Sequence, residues 1–172
     1  DVYKRQDWEA EARRAETSGI RVAMLRTGVV LSPAGGMLQQ VLPLFLAGLG
    51  GPVATSGGES HDGSPWLSWI GADDIAGAFA HAVLDDGVTG PVNAVAPEPV
   101  TAREFATVLG RVLRRPALIP VPEAGPRLLL GEEGRVETVA ADQKVVADRL
   151  VSSGYEMRDP ELEGALRHVL GR

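Results

Sequence analysis

Apolar and polar positions alternate in blocks along this chain, and the blocks read as strands and helices in turn. The clearest stretch runs from Trp66 to Ala96. Trp66, Leu67, Trp69 and Ile70 form an apolar run too short for a surface helix, which predicts a buried strand. Asp73 stands where a helix N-cap accepts hydrogen bonds from free N–H groups, and Asp74 where the helix dipole favours negative charge. Ile75, Ala76, Phe79, Ala82 and Val83 are then expected to share the helix's buried face. Gly87 and the Gly90-Pro91 pair end the helix, and residues 91–95 resume an extended run.

The same reading extends in both directions. Residues 7–18 are rich in helix formers, with Glu9 and Arg13 at i,i+4 spacing and Gly19 as the C′ residue. Residues 20–31 (IRVAMLRTGVVL) are short and β-branched, which predicts a buried strand. Residues 37–49 form a mostly apolar helix with Pro43 as a point of interruption, and residues 53–65 a polar loop. Thr101 and Glu104 make a capping box, flanked by Val100 and Phe105 as a hydrophobic staple. Phe105, Val108, Leu109, Val112 and Leu113 continue as an apolar stripe. Pro116 stops that helix, and residues 117–121 read as a short strand. A short helix is expected around residues 126–130 and another over 142–152. Asp159-Pro160 reads as an N-cap with proline at N1, opening a final helix that carries Leu162, Ala165, Leu166, Val169 and Leu170.

Composition narrows the function classes. With 172 residues, 44% hydrophobic and 23% charged, the chain is ordinary globular material of one-domain size. Its net charge of −6 argues against a nucleic-acid footprint. The absence of cysteine removes disulfides, thiol catalysis and thiolate metal sites, and fits a reducing, cytoplasmic setting. No apolar run approaches the roughly 20 residues that span a bilayer, so no membrane partner is expected. Residues 1–6 (DVYKRQ) have no capping logic and read as a non-native, adapter-derived tail.

The candidate chemistry is sparse. Gly48, Gly50 and Gly51 approximate G-x-G-x-x-G, but Val53 holds the sixth position and a helix rather than a strand precedes them, so a plain turn is the better reading. Ser60, His61 and Asp62 are adjacent in sequence, which is no sign of a triad, whose members converge from separate loops. His81 lacks a second ligand at metal spacing. His168 suits the negative end of the last helix, and Asp85-Asp86 a solvated helix end. No nucleophile, metal site or acid/base pair emerges.

Several blocks in order carry a family likeness. They are residues 25–33 (LRTGVVLSP), Gly35-Gly36-Met37, residues 48–52 (GLGGP), Ser68-Trp69-Ile70 with Asp73-Asp74, and residues 90–101 (GPVNAVAPEPVT). Arg115-Pro116, Pro120-Val121-Pro122 and residues 128–132 (LLLGE) complete the series. Together, over residues 7–172, they resemble the extended short-chain dehydrogenase/reductase superfamily, and within it the sugar-nucleotide epimerase-like family with a C-terminal module of unknown function. The family pattern has histidine where Gly71 stands, and a shorter loop than residues 53–65.

The resemblance implies an α/β fold: the C-terminal half of a Rossmann-like domain with a small substrate-side lobe, an incomplete domain lacking its N-terminal half. Residues 7–115 would belong to the NAD(P)-binding epimerase-like part and residues 116–172 to the small C-terminal module. The resemblance also implies NAD or NADP as cofactor of the intact protein and a small-molecule, nucleotide-sugar-like substrate. Thr27, Gly28, Val29 and Val30 would approach the nicotinamide, and Trp66, Ser68 and Trp69 would line the substrate cleft. The family's Tyr-x-x-x-Lys pair belongs upstream of Trp8, and four residues beyond Tyr3 stands Asp7, so no catalytic residue carries over. The alternative is a non-catalytic NAD(P)-binding or regulatory module on the same fold.

Overall fold

The computed structural model describes residues 2–54, 60, 63–117, 121–122 and 144–172. Its frame is parallel β. Strand β1 (Ala23–Thr27) pairs in parallel with β6 (Gly90–Ala94), and β2 (Val29–Leu31) pairs in parallel with β5 (Trp69–Gly71). A two-residue antiparallel pair joins β4 (Trp66–Leu67) to β7 (Val100–Thr101), and a two-residue parallel pair joins β3 (Val53–Ala54) to β8 (Val121–Pro122). The predicted strand over residues 20–31 is therefore two strands separated by Gly28.

Side-chain alternation along the strands divides the core between the two faces of the sheet. Val29, Leu31 and Trp69 enter one apolar cluster, with Leu38 and Phe45 of α2 (Gly36–Leu46), Leu109 of α4 (Ala102–Leu113) and Leu166 of α6 (Leu162–Val169). Val30, Ile70, Val92 and Ala94 enter the other, with Ala78 and Ala82 of α3 (Ala72–Leu84) and Leu150 of α5 (Asp148–Ser152). Strands covered on both faces explain why their sequences are apolar runs rather than clean alternations.

Several expectations change in detail. Helix α3 buries Asp74, Ala78 and Ala82, whereas Phe79 and Val83 are 51% and 71% exposed. The buried stripe is thus rotated from the one expected, because the small alanines rather than the larger residues meet the strands. Its N-cap is Gly71, not Asp73. Pro43 lies inside α2, which runs through it. The helix expected over 142–152 reduces, among the described residues, to α5, preceded by residues 144–147 without regular structure. Helix α6 begins after Glu161 rather than at Pro160, and the Asp159 carboxylate is engaged by His168 instead of capping it. The capping box of Thr101 and Glu104 is present in both halves, at 3.1 and 2.7 Å. Helix α1 spans Val2–Arg14, earlier than the pattern from Asp7 suggests, and continues as a 3-10 turn to Ser18, ended by Gly19 at φ 74°. The expected helix at 126–130 and the Ser60-His61-Asp62 cluster lie wholly or mostly outside the described residues. Among the described residues no helix is long and apolar enough to cross a membrane.

Candidate functional site

The carboxyl ends of β1 and β6 part company at Gly28. The Gly28 N–H still donates to Ala94 O at 3.1 Å, as if the pairing continued. One residue later the partner changes. Val29 N–H donates to Ser68 O at 2.8 Å, and Ala96 N–H donates to Trp69 O at 2.6 Å, so the segment 68–69 enters between the two diverging chains. In open parallel sheets, ligands bind where neighbouring strands separate at their carboxyl ends.

Glycine is required at this fork for steric reasons. A Cβ on residue 28 would stand 2.6 Å from Ser68 O and 2.8 Å from the Val95 Cγ1 methyl. Both distances are closer than carbon tolerates, and the first neighbour is backbone, which cannot swing aside. Thr27 is exposed beside the fork, while Val29 and Val30 are half-buried and point to opposite core clusters.

The three residues expected on the substrate side fall in different environments. Trp66 is half-buried, with the Lys144 ammonium over its ring, 4.6 Å from the centroid. The Ser68 hydroxyl accepts the Val145 N–H at 3.0 Å. Trp69 is 1% exposed and packs in the core, its indole N–H donating to Glu98 O at 3.2 Å. Trp69 thus holds the strand that carries Ser68, while Trp66 and Ser68 face the segment 144–147. None of these seven residues ionises near neutral pH, so the fork can shape and position a ligand but cannot itself transfer a proton. A separate shallow depression of about 330 Å³ lies between Pro97 and Ala147, Asp148, Val151 and Ser152, and includes none of them.

Titratable residues gather around Asp73 and Asp74 in the first turn of α3 and hold the C-terminal segment in place. Asp74, 2% exposed, accepts the N–H groups of Arg158 (2.8 Å) and Asp159 (3.1 Å) and the Tyr155 hydroxyl (3.3 Å). Tyr155 also donates to Asp74 O at 2.9 Å. Burial, and then the charge and hydrogen bond of Asp74, push the Tyr155 phenol up to about 12. His168 bridges Asp159 and Asp73, the latter at 3.3 Å, and Arg158 pairs with Asp73 at 3.3 Å. His81 donates to or accepts from Ser153 Oγ at 2.9 Å, with Asp85 3.7 Å from the same ring nitrogen. Serine and aspartate on one nitrogen do not make a relay, which needs one on each. Among the described residues no group of carboxylates and histidines could hold a metal.

A nicotinamide dinucleotide needs a flat ring site and a pyrophosphate site. The exposed Thr27 and the side-chain-free Gly28 suit the ring. Helix α3 follows directly on a parallel strand, the usual arrangement for pyrophosphate, but its first turn carries Asp73 and Asp74, which oppose an anion. The N-terminus of α3 is therefore not the phosphate end of such a site.

This architecture is that of Rossmann-like NAD(P)-binding epimerases. Residues 121–169 match the domain of unknown function DUF1731. The bovine epimerase family protein SDR39U1 is 42% identical over 164 residues, covering 95% of this chain and 53% of the relative. The crystal structure of the human SDR39U1 (isoform 2) with NADPH superimposes with a TM-score of 0.74 at 35% identity, over 88% of this chain and 48% of that one. The nucleoside-diphosphate sugar epimerase of Corynebacterium glutamicum gives a TM-score of 0.66 at 32% identity, over 96% of this chain and 30% of that one. Over nearly its whole length the chain is similar to epimerase family proteins, which supports the resemblance to the extended short-chain dehydrogenase/reductase superfamily. It spans about half the length of the curated relatives it matches.

Proposed function

We propose that this chain is the C-terminal portion of an NAD(P)-dependent epimerase or oxidoreductase acting on a nucleotide-sugar-like substrate. The cofactor supplies the hydride chemistry; the protein orients ring and substrate. In this reading Thr27, Gly28, Val29 and Val30 form the wall against the nicotinamide ring, and Trp66 and Ser68 line the substrate side, with Trp69 fixing their strand. The glycine-rich phosphate loop and the proton-transferring pair come from the upstream half, so the chain alone is inactive. The observation that carries the reading is the fork at Gly28, where parallel strands separate and a Cβ has no room. The NADPH in the human relative's structure supports the cofactor class, and the sugar epimerase from Corynebacterium supports the substrate class.

The test is made on the protein with its upstream half restored. It should bind NADP or NAD saturably and turn over a nucleotide sugar, followed by nicotinamide absorbance. Thr27→Leu, which adds bulk beside the fork, should weaken cofactor binding roughly tenfold, about 1.4 kcal/mol, with an unchanged melting temperature. Unaltered affinity would remove Thr27–Val30 from the cofactor site. Binding without turnover on any nucleotide sugar would favour the non-catalytic or regulatory alternative.

A further inference from the structure

We propose that Lys144 is a ligand-binding residue of the same cleft, contributed by the C-terminal module, and that it takes a phosphate or diphosphate group of the bound molecule. The inference rests on the substrate-side reading of Trp66 and Ser68 and adds a residue that their strand does not contain.

The backbone around Lys144 is held at several points. Val145 N–H donates to Ser68 Oγ at 3.0 Å, and the Asn93 amide donates to Val146 O at 3.2 Å. Arg149 donates to Thr89 O at 2.9 Å and to Pro91 O, both at the start of β6. Ala147 and Leu150 are 2% and 0% exposed. The segment is thus fastened across β6 and Ser68, and the Lys144 side chain is delivered to the exposed rim, over the Trp66 ring.

Among the described residues no anion is paired with the charge there. An aromatic face attracts an ammonium without neutralising it and leaves its three N–H donors free to turn to an anion. No carboxylate among the described residues pairs with Lys144. Two other described cations, Arg26 and Arg149, are committed. Arg26, one residue before Thr27, is held by both Glu9 oxygens at 2.7 and 2.8 Å, and Arg149 is turned to backbone carbonyls. In a chain of net charge −6, an anionic ligand is repelled by the protein as a whole, so a local cation beside the cleft has a disproportionate effect.

Phosphate could reach Lys144 on the substrate or on the dinucleotide. The protein with its upstream half restored is therefore titrated separately with UDP and with NADPH, followed by tryptophan emission and calorimetry. Wild type should bind UDP saturably, Lys144→Gln should bind it about tenfold more weakly, as for loss of one charge-assisted contact, and Lys144→Arg should restore most of the affinity. The melting temperature should not move, because the side chain is exposed. The same pattern with NADPH in place of UDP would assign the phosphate to the cofactor and support the residue's role. Equal affinities of wild type and Lys144→Gln for every probe would overturn the proposal while leaving the cleft reading intact. No saturable binding of either probe by wild type would overturn both.

Discussion

Helices α1 and α4 have nearly the same length, 13 and 12 residues, and opposite standing in the fold. Helix α4 has both halves of a capping box, buries six residues and is tied to α6 by Arg111 and Glu163 at 3.0 Å. Helix α1 carries Trp8 at 70% exposure, and an ion pair, Glu9–Arg26, links it to the sheet. Strand β1, beside it, pairs with β6 on one edge, and among the described residues no strand covers the other. Helix α1 rests on local helix formers and the i,i+3 and i,i+4 pairs of Glu11–Arg14 and Glu9–Arg13, whereas tertiary packing accounts for α4. One flank of the molecule is closed, and the other presents apolar surface and an open strand edge, the condition expected of a sheet whose remaining strands lie in another part of the protein.

The contrast can be broken by substitution, most strongly on the closed side. Asp74→Ala removes a buried acceptor and strands the N–H groups of Arg158 and Asp159; it should cost about 3 kcal/mol or more in denaturant unfolding. Leu109→Ala, in the centre of α4 at 0% exposure, should cost about 3 kcal/mol by the cavity it leaves. A loss below about 1 kcal/mol in either case would mean that the C-terminal module is not integral to the core. Gly28→Ala should cost about 2 kcal/mol or more, since the Ser68 carbonyl must retreat. Its loss of cofactor binding in the full-length protein should exceed that of any other single methyl added nearby.

Tyr155 sharpens the contrast through pH. Its phenol is raised from 10 to about 12 in the folded chain. The fold retains a proton that the unfolded chain releases, so this contribution is fully present below pH 10 and fades as pH rises toward 12. Tyr155→Phe should cost about 1 kcal/mol at neutral pH through the lost hydrogen bond, and should flatten the alkaline loss of stability. A wild-type curve with no extra alkaline loss over the variant would place the hydroxyl in water. Smallest in stability is Trp8→Ser on the open side, which should stay within about 0.5 kcal/mol of wild type. Its effect should appear instead as reduced self-association in sedimentation. A wild-type chain already monodisperse and monomeric would contradict the open-flank reading.

What could be read from the residues follows how local the cause is. The capping box at Thr101 and Glu104, the apolar stripe of α4 and the Gly19 stop are set by neighbours in sequence, and each appears in the structure. The break at Gly28 was available as a glycine inside an apolar run, a mark of close backbone approach. What approaches, the Ser68 carbonyl, lies 40 positions away and leaves no trace near residue 28. The rotation of α3 has the same origin: its buried face is chosen by β1, β2 and β5, and by Tyr155, for whose hydroxyl Gly77 leaves space. The sequence makes Asp73 the cap and Asp74 a surface charge suited to the helix dipole, and neither role is the one the fold assigns. Only the fold separates the buried acceptor from the exposed partner of Arg158 and His168. Lys144 carries no motif at all and acquires its position solely from where the segment after residue 143 is fastened.

The account turns on a division of labour, in which this chain supplies the ring-side wall of a dinucleotide site and an upstream half supplies its phosphate grip. Calorimetric titration of the 172-residue chain with NADPH, beside the same titration of the full-length protein, measures that division directly. Saturable binding by the full-length protein, with affinity lost at least a hundredfold in the chain, is the predicted result. Micromolar binding by the chain alone would show that it holds the whole dinucleotide unaided and would contradict the account.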